Sequence, residues 1–174
     1  NIHRPIEGKI KSATISKNPA GKYFVSILCE VPKRTKVMTR KSVGIDLGIT
    51  DFITFSDGQK VMNHNFHRKN KQKLANAQKH FSRKQKGSKR REKQRIKVAR
   101  IHEKITNSRK DFQHKLSTQL VNDYDLIAVE YLTVKNMMKN HNLAFSIVDA
   151  GWVEFIRQLE YKSDWYGKKI IKID

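Results

Sequence analysis

Apolar and polar positions alternate along residues 8–31, and that period of two predicts strands. KIKSATIS and KYFVSILCEV read as a hairpin around the turn Asn18-Pro19-Ala20-Gly21. PKRTKVMTR (32–40) loses the alternation and reads as a linker. Three closely spaced strands are expected next: SVGIDL (42–47), DFITFS (51–56) and KVMNHN (60–65), with Ser56-Asp57-Gly58 turning the chain between the last two. From 67 to 123 the period becomes helical. Leu74, Ala77 and Phe81 share one stripe, Gly87-Ser88 interrupts it, and Val98, Ile101, Ile105, Phe112, Leu116 and Leu120 resume it, which predicts a helical hairpin. LIAVEYL (126–132) is the apolar run expected of a central parallel strand covered on both faces. The polar stretch NMMKNHN reads as a loop. Ser146-Ile-Val-Asp149 resembles a capping box opening a helix, with Val148, Trp152, Phe155 and Leu159 buried and Gly167 ending it. KKIIKID (168–174) reads as a last strand.

Three strands, helices, strand, helix, strand is an α/β order, because parallel strands need helical crossovers. A three-stranded antiparallel meander that leads into parallel strands predicts a mixed sheet of the RNase H type.

Two acids stand out on that sheet. Asp46 is expected in the middle of a buried strand, and Glu130 toward the end of the fourth. An ionised carboxylate is costly to bury unless it is paired or holds a metal. If the first and fourth strands are parallel neighbours, both acids converge at the carboxyl edge, where open α/β sheets place their sites. Two-metal nucleases use such a carboxylate cluster, and magnesium takes one or two carboxylates plus water and phosphate. GIDLGIT also resembles the phosphate-binding turn of actin-like ATPases. Those enzymes need a second lobe and a second glycine-rich loop, whereas only 8 glycines occur and none forms such a loop after Gly58.

Charge narrows the partner. The 174 residues hold 37 Lys and Arg against 16 Asp and Glu, a net of +21. Residues 67–115 alone carry 19 basic against 3 acidic side chains. Like charges on neighbouring helical turns repel, and phosphates would relieve that repulsion, so nucleic acid is the first expectation and a membrane surface the alternative. Arg83, Lys84, Lys86, Lys89, Arg90, Arg91 and Arg95 are the candidate phosphate contacts. No apolar run approaches the roughly 20 residues a membrane span requires, and no signal-peptide pattern is present. Cys29 is the single cysteine, which excludes an internal disulfide and a cysteine-rich zinc site within these residues and makes a reducing cytoplasm the default compartment. His64 and His67 in HNFH read as backbone or phosphate contacts, and Trp152, Trp165 and Tyr166 as core.

VGIDLGITDFITFSDG, the basic hairpin, and IAVEYLTVKNMMKNHNLAFSIVDAGWVEFIRQLEYKSDWYGKKIIKID resemble, in order and spacing, the TnpB (OrfB) proteins of bacterial insertion sequences. The resemblance implies an RNA-guided DNA endonuclease whose partners are guide RNA and target DNA. It implies a RuvC-like domain over 41–174, interrupted by the helical hairpin at 67–123, and a wedge-like β domain of which 1–40 is the tail and linker. It puts the family's first catalytic aspartate on Asp46 and its glutamate on Glu130, with Mg2+ (or Mn2+) as cofactor, in a bacterial or archaeal cytoplasm beside the nucleoid. In the family a four-cysteine zinc module and a third motif with the last catalytic aspartate follow the point where these residues stop; Asp174 does not match that aspartate, so the resemblance implies an inactive fragment of an active whole. Tyr131 departs from the family's Asp-Leu or Asn-Leu and is expected on the strand face opposite Glu130. A nuclease-inactive RNA-guided DNA-binding repressor, or a decayed transposon remnant that only binds nucleic acid, remain the alternatives.

Overall fold

A computed structural model describes residues 5–33, 35–130 and 132–173; Tyr131 and Asp174 lie outside the described residues. The elements are β1 (Lys9–Lys17), β2 (Tyr23–Glu30), β3 (Ser42–Asp46), β4 (Asp51–Phe55), β5 (Lys60–Met62), α1 (Phe66–Ser82), α2 (Lys89–Asp123), β6 (Leu126–Glu130), α3 (Val134–Met137), α4 (His141–Ala150), α5 (Trp152–Tyr166) and β7 (Lys169–Ile173). The chain forms two compact units. Residues 1–33 and 70–106 make the first, residues 34–69 and 107–174 the second.

In the first unit β1 and β2 pair antiparallel around the expected turn, where the Lys22 amide donates to the Asn18 side-chain oxygen at 2.9 Å. Two strands alone cannot bury either face, and nearly every residue of the hairpin is exposed. Its turn is tied to α2: Asn18 Nδ2 and Lys22 Nζ donate to the Glu103 carboxylate at 2.6 and 3.0 Å, and Arg95 donates to the Pro19 carbonyl at 3.1 Å. The break at Gly87-Ser88 is where the sequence places it. Gly87 takes φ 80°, and the Ser88 hydroxyl accepts the Arg91 amide at 3.1 Å, an N-cap for α2.

The second unit is a five-stranded mixed sheet in the order β5-β4-β3-β6-β7, with β3, β4 and β5 antiparallel and β3, β6 and β7 parallel. Val43, Ile45, Ile127 and Val129 bury one face in a cluster with Leu116, Leu120, Trp152, Phe155 and Leu159 from the helices. A register shift in β4 lets the consecutive Phe52 and Ile53 both enter that core, as a bulge does when two residues oppose one. Phe52 meets Phe112 and Phe155 edge-on, each at 5.1 Å.

Several expectations need correction. β6 is central but not covered on both faces: Ile127 and Val129 are buried, while Leu126 and Ala128 are half-exposed and Glu130 exposed. β5 stops at Met62, and Asn65 turns the chain with φ 49°. The stretch NMMKNHN is not a loop throughout, since α3 ends at Met137 and α4 begins at His141. Ser146 and Asp149 lie inside α4 and open no helix. The break falls at Gly151, in the left-handed region at φ 69°. The phase therefore changes there, so Ile147 is buried and Val148 is exposed. Trp165 is also exposed, on the outer side of α5, whereas Trp152 is core. Gly167 does end α5 as expected, with φ 68°.

Long polar side chains complete the helix ends. Arg109 donates to the Val148 and Asp149 carbonyls at 2.9 and 3.3 Å, and Gln113 donates to those of Ala150 and Gly151 at 3.0 Å each. The last carbonyls of a helix have no helical partner of their own. Asp149 in turn accepts the amides of His67 and Arg68 at 2.8 and 3.1 Å, capping α1 from a distance in sequence.

Candidate active site

Asp46 and Glu130 are each the last residue of a strand, and both are exposed. Burial therefore does not single them out: the edge of the sheet leaves each charge in water. Their placement stands on register instead. Ser42 pairs with Leu126, Val43 with Ile127, Gly44 with Ala128 and Ile45 with Val129. The offset is constant, so one further step sets Asp46 level with Glu130. Paired positions on parallel strands share a face, and neighbouring strands lie roughly 4.8 Å apart. Both residues thus end neighbouring parallel strands at the carboxyl edge, where open α/β sheets place their sites.

The loop after Asp46 is closely built. A Cβ on Gly48 would stand 2.7 Å from the Asp51 carbonyl oxygen, so only glycine fits. Asn63 Nδ2 donates to the Ile49 carbonyl at 2.8 Å, and Lys60 pairs with Asp51 at 3.2 Å. The opposite end of β6 shows what a structural acid looks like. Asp125 accepts from Lys168 and from the Arg40 amide, and the Lys168 ammonium above all holds its pKa down to about 2. Among the described residues no basic side chain pairs with Asp46 or Glu130.

Two carboxylates on one edge offer hard oxygen donors that fit a magnesium or manganese ion, which keeps several waters of its own. Among the described residues no group of three His, Cys, Asp or Glu could hold a metal, so the pair is at most part of a ligand set. HNFH supplies none: His64 packs edge-on to Phe112 at 4.6 Å, and His67 to Phe145 at 4.9 Å.

The seven basic candidates separate into two groups. Arg83, Lys84, Lys86, Lys89 and Arg90 are exposed around the α1–α2 turn. Arg91 donates to the Phe81 and Lys84 carbonyls at 3.3 and 2.7 Å and lies over the Phe81 ring at 4.2 Å. Arg95 grips Glu92 through two bonds of 2.8 and 2.7 Å besides its bond to Pro19. Those two hold the fold. Sequence reasoning also missed Lys162, whose ammonium donates to the His114 carbonyl and the Ser117 and Thr118 hydroxyls at 2.8, 2.7 and 2.8 Å and whose pKa burial lowers. Nothing in the local pattern of α5 sets that lysine apart, because its partners are on α2.

Residues 26–141 match the family model OrfB_IS605, described as "Probable transposase". A "Putative RNA-guided DNA endonuclease" of Streptomyces pristinaespiralis is 47% identical over 163 residues, covering 94% of this chain and 40% of the relative. The "Putative RNA-guided DNA endonuclease InsQ" of Escherichia coli K12 is 36% identical over 186 residues, covering 98% of this chain and 46% of that protein. A "TnpB-like protein L79" of Acanthamoeba polyphaga mimivirus is 25% identical over 170 residues, covering 88% of this chain and 32% of its own length. The chain thus spans less than half the length of these relatives. With its mixed sheet, its two edge carboxylates and a family match that covers most of its residues, the chain belongs to the OrfB, or TnpB, family of transposon proteins.

Proposed function

We propose that the chain carries two catalytic carboxylates of a RuvC-like nuclease domain, of RNase H type, in an RNA-guided DNA endonuclease. The observation that carries this reading is the constant register of β3 against β6, which runs up to Ile45 and Val129, the residues just before Asp46 and Glu130. The strand order supports it, since three antiparallel strands lead into two parallel ones as that fold requires. The names of the relatives point the same way. Residues 41–174 belong to the nuclease domain and 1–40 to the end of a wedge-like β domain and its linker.

Asp46 and Glu130 would hold Mg2+ or Mn2+. When bound, such ions lower the pKa of a water and stabilise the attacking and leaving oxygens of a phosphodiester. The chain's own residues do the positioning. The Gly48 turn holds Asp46 at the strand end, and β6, clamped between β3 and β7, fixes Glu130. Both carboxylates face solvent, which leaves room for a DNA strand. Arg83, Lys84, Lys86, Lys89 and Arg90 contact the phosphates of guide RNA and target DNA, while base pairing with the guide reads the sequence.

The test is strand cleavage by the complete, guide-loaded protein. Asp46→Ala and Glu130→Gln should each slow cleavage by roughly a thousand-fold or more, three factors of ten in rate at about 1.4 kcal/mol each. Both should still bind target DNA. Cleavage at the parental rate by Asp46→Ala sinks the assignment. Guided binding without cutting by the parent would instead identify a DNA-binding repressor.

A further inference from the structure

Beside Glu130 the second unit has a hollow of about 300 Å3. Half of its wall is apolar, with Leu132 and Val134 after β6 and Val153 and Ile156 on α5, and the carboxylates Glu130 and Glu160 stand in the other half. Val153 is 61% exposed. Two cations stand among the lining residues, Arg157 on α5 and Lys172 on β7. Each is held in place by a carboxylate of α5: Lys172 by Glu160 at 2.6 Å, and Arg157 by Glu154 through two bonds of 2.8 Å. Glu154 carries its charge down to a pKa of about 2 because the Arg157 guanidinium bonds to it. Neither cation is drawn to Glu130, which leaves that carboxylate open to a ligand.

We propose that this hollow seats one nucleotide of the DNA strand, next to the phosphate that is cut. The inference rests on the nuclease reading above and names where its substrate lies. A volume of about 300 Å3 is at the small end of ligand sites, which suits a single nucleotide and not a duplex. The sugar and base edge lie against Val134, Val153 and Ile156. The phosphate reaches Lys172, whose ammonium is a mobile point charge on a flexible stem and passes from Glu160 to the anion. Arg157 stays on Glu154 and shapes the wall. Lys172 is thus a positioning residue: it places the strand relative to Glu130 and touches no reacting atom.

The experiment uses the complete guide-loaded protein with a target strand carrying 5-iodouracil beside the scissile phosphate. Ultraviolet crosslinking in excess chelator reads occupancy without cleavage. Val153→Asp puts a negative charge into the wall at an exposed position and should cut the crosslink about ten-fold, because the new carboxylate repels the strand's phosphates. Lys172→Gln should raise KM for the strand about ten-fold, with kcat within about two-fold, and Lys172→Arg should restore KM. Retained guide RNA in each variant shows that it is folded. Asp46→Ala should crosslink like the parent while failing to cut. A full crosslink in Val153→Asp, or an unchanged KM in Lys172→Gln, overturns the seat and leaves the nuclease reading standing. Cutting by Asp46→Ala overturns that reading and is scored independently of the crosslink.

Discussion

A methyl group on Gly48 would stand 2.7 Å from the carbonyl oxygen of Asp51, closer than real side chains approach. The obstacle is backbone, so the Asp51 peptide at the start of β4 must move to admit it. Gly48→Ala should therefore destabilise the protein by about 1–3 kcal/mol, the range for overpacking, seen as a lower denaturant midpoint. A second single-residue case is Asp125. Its carboxyl is held at about pH 2 by Lys168, so the stability it contributes is complete above the unfolded value near pH 4. That contribution should fade as pH falls from roughly 4 toward about 2, and Asp125→Asn should remove that part of the acid-induced loss in thermal melts. Residue chemistry was partly legible in the chain. GIDLG marked Asp46 and its turn, yet the two acids were expected to be buried. They are exposed because both strands end on them, and a strand's last residue is not visible in an apolar run.

Elements were legible where their signal is local. Gly87-Ser88 broke the helical stripe, and Asn18-Pro19-Ala20-Gly21 turned the hairpin, because turn chemistry resides in the turn residues themselves. The start of the last helices was not. Ser146 and Asp149 have the spacing of a cap, but Asp149 caps α1 instead, and α4 runs on until Gly151. Asp149→Ala should lower stability by about 1 kcal/mol and speed hydrogen exchange at the first amides of α1, with α5 unaffected. The α1–α2 turn makes a complementary prediction. Arg91→Ala should lower the melting temperature, since its guanidinium holds the Phe81 and Lys84 carbonyls. Arg90→Ala should leave melting unchanged and weaken nucleic-acid binding alone.

At the scale of the whole molecule, charge is divided between the two units. The first holds 20 Lys and Arg against 4 Asp and Glu, the second 17 against 12. Within the first unit Glu30 is engaged with Lys11, Glu92 with Arg95 and Glu103 with Lys22. Its remaining cations have few carboxylates to answer them. Replacing Arg83, Lys84, Lys86, Lys89 and Arg90 together should flatten the log–log salt dependence of duplex DNA binding by about 4 to 5, at roughly 0.9 for each phosphate no longer neutralised. Asp46→Ala should leave that slope intact. Binding and cutting would then separate by unit, the first read in salt titrations and the second in cleavage rates.

The sequence alone determined most of the elements, the cationic character of the helical hairpin and the identity of the two edge acids, because periodicity, turn residues and charge are local properties of a chain. Only the tertiary structure decided that Asp46 and Glu130 are level and open to solvent, since strand register is a relation between segments 84 residues apart. It also decided that Arg91 and Arg95 hold backbone while Arg90 faces water. Whether a side chain is occupied depends on which distant carbonyl or carboxylate the fold brings within hydrogen-bonding range.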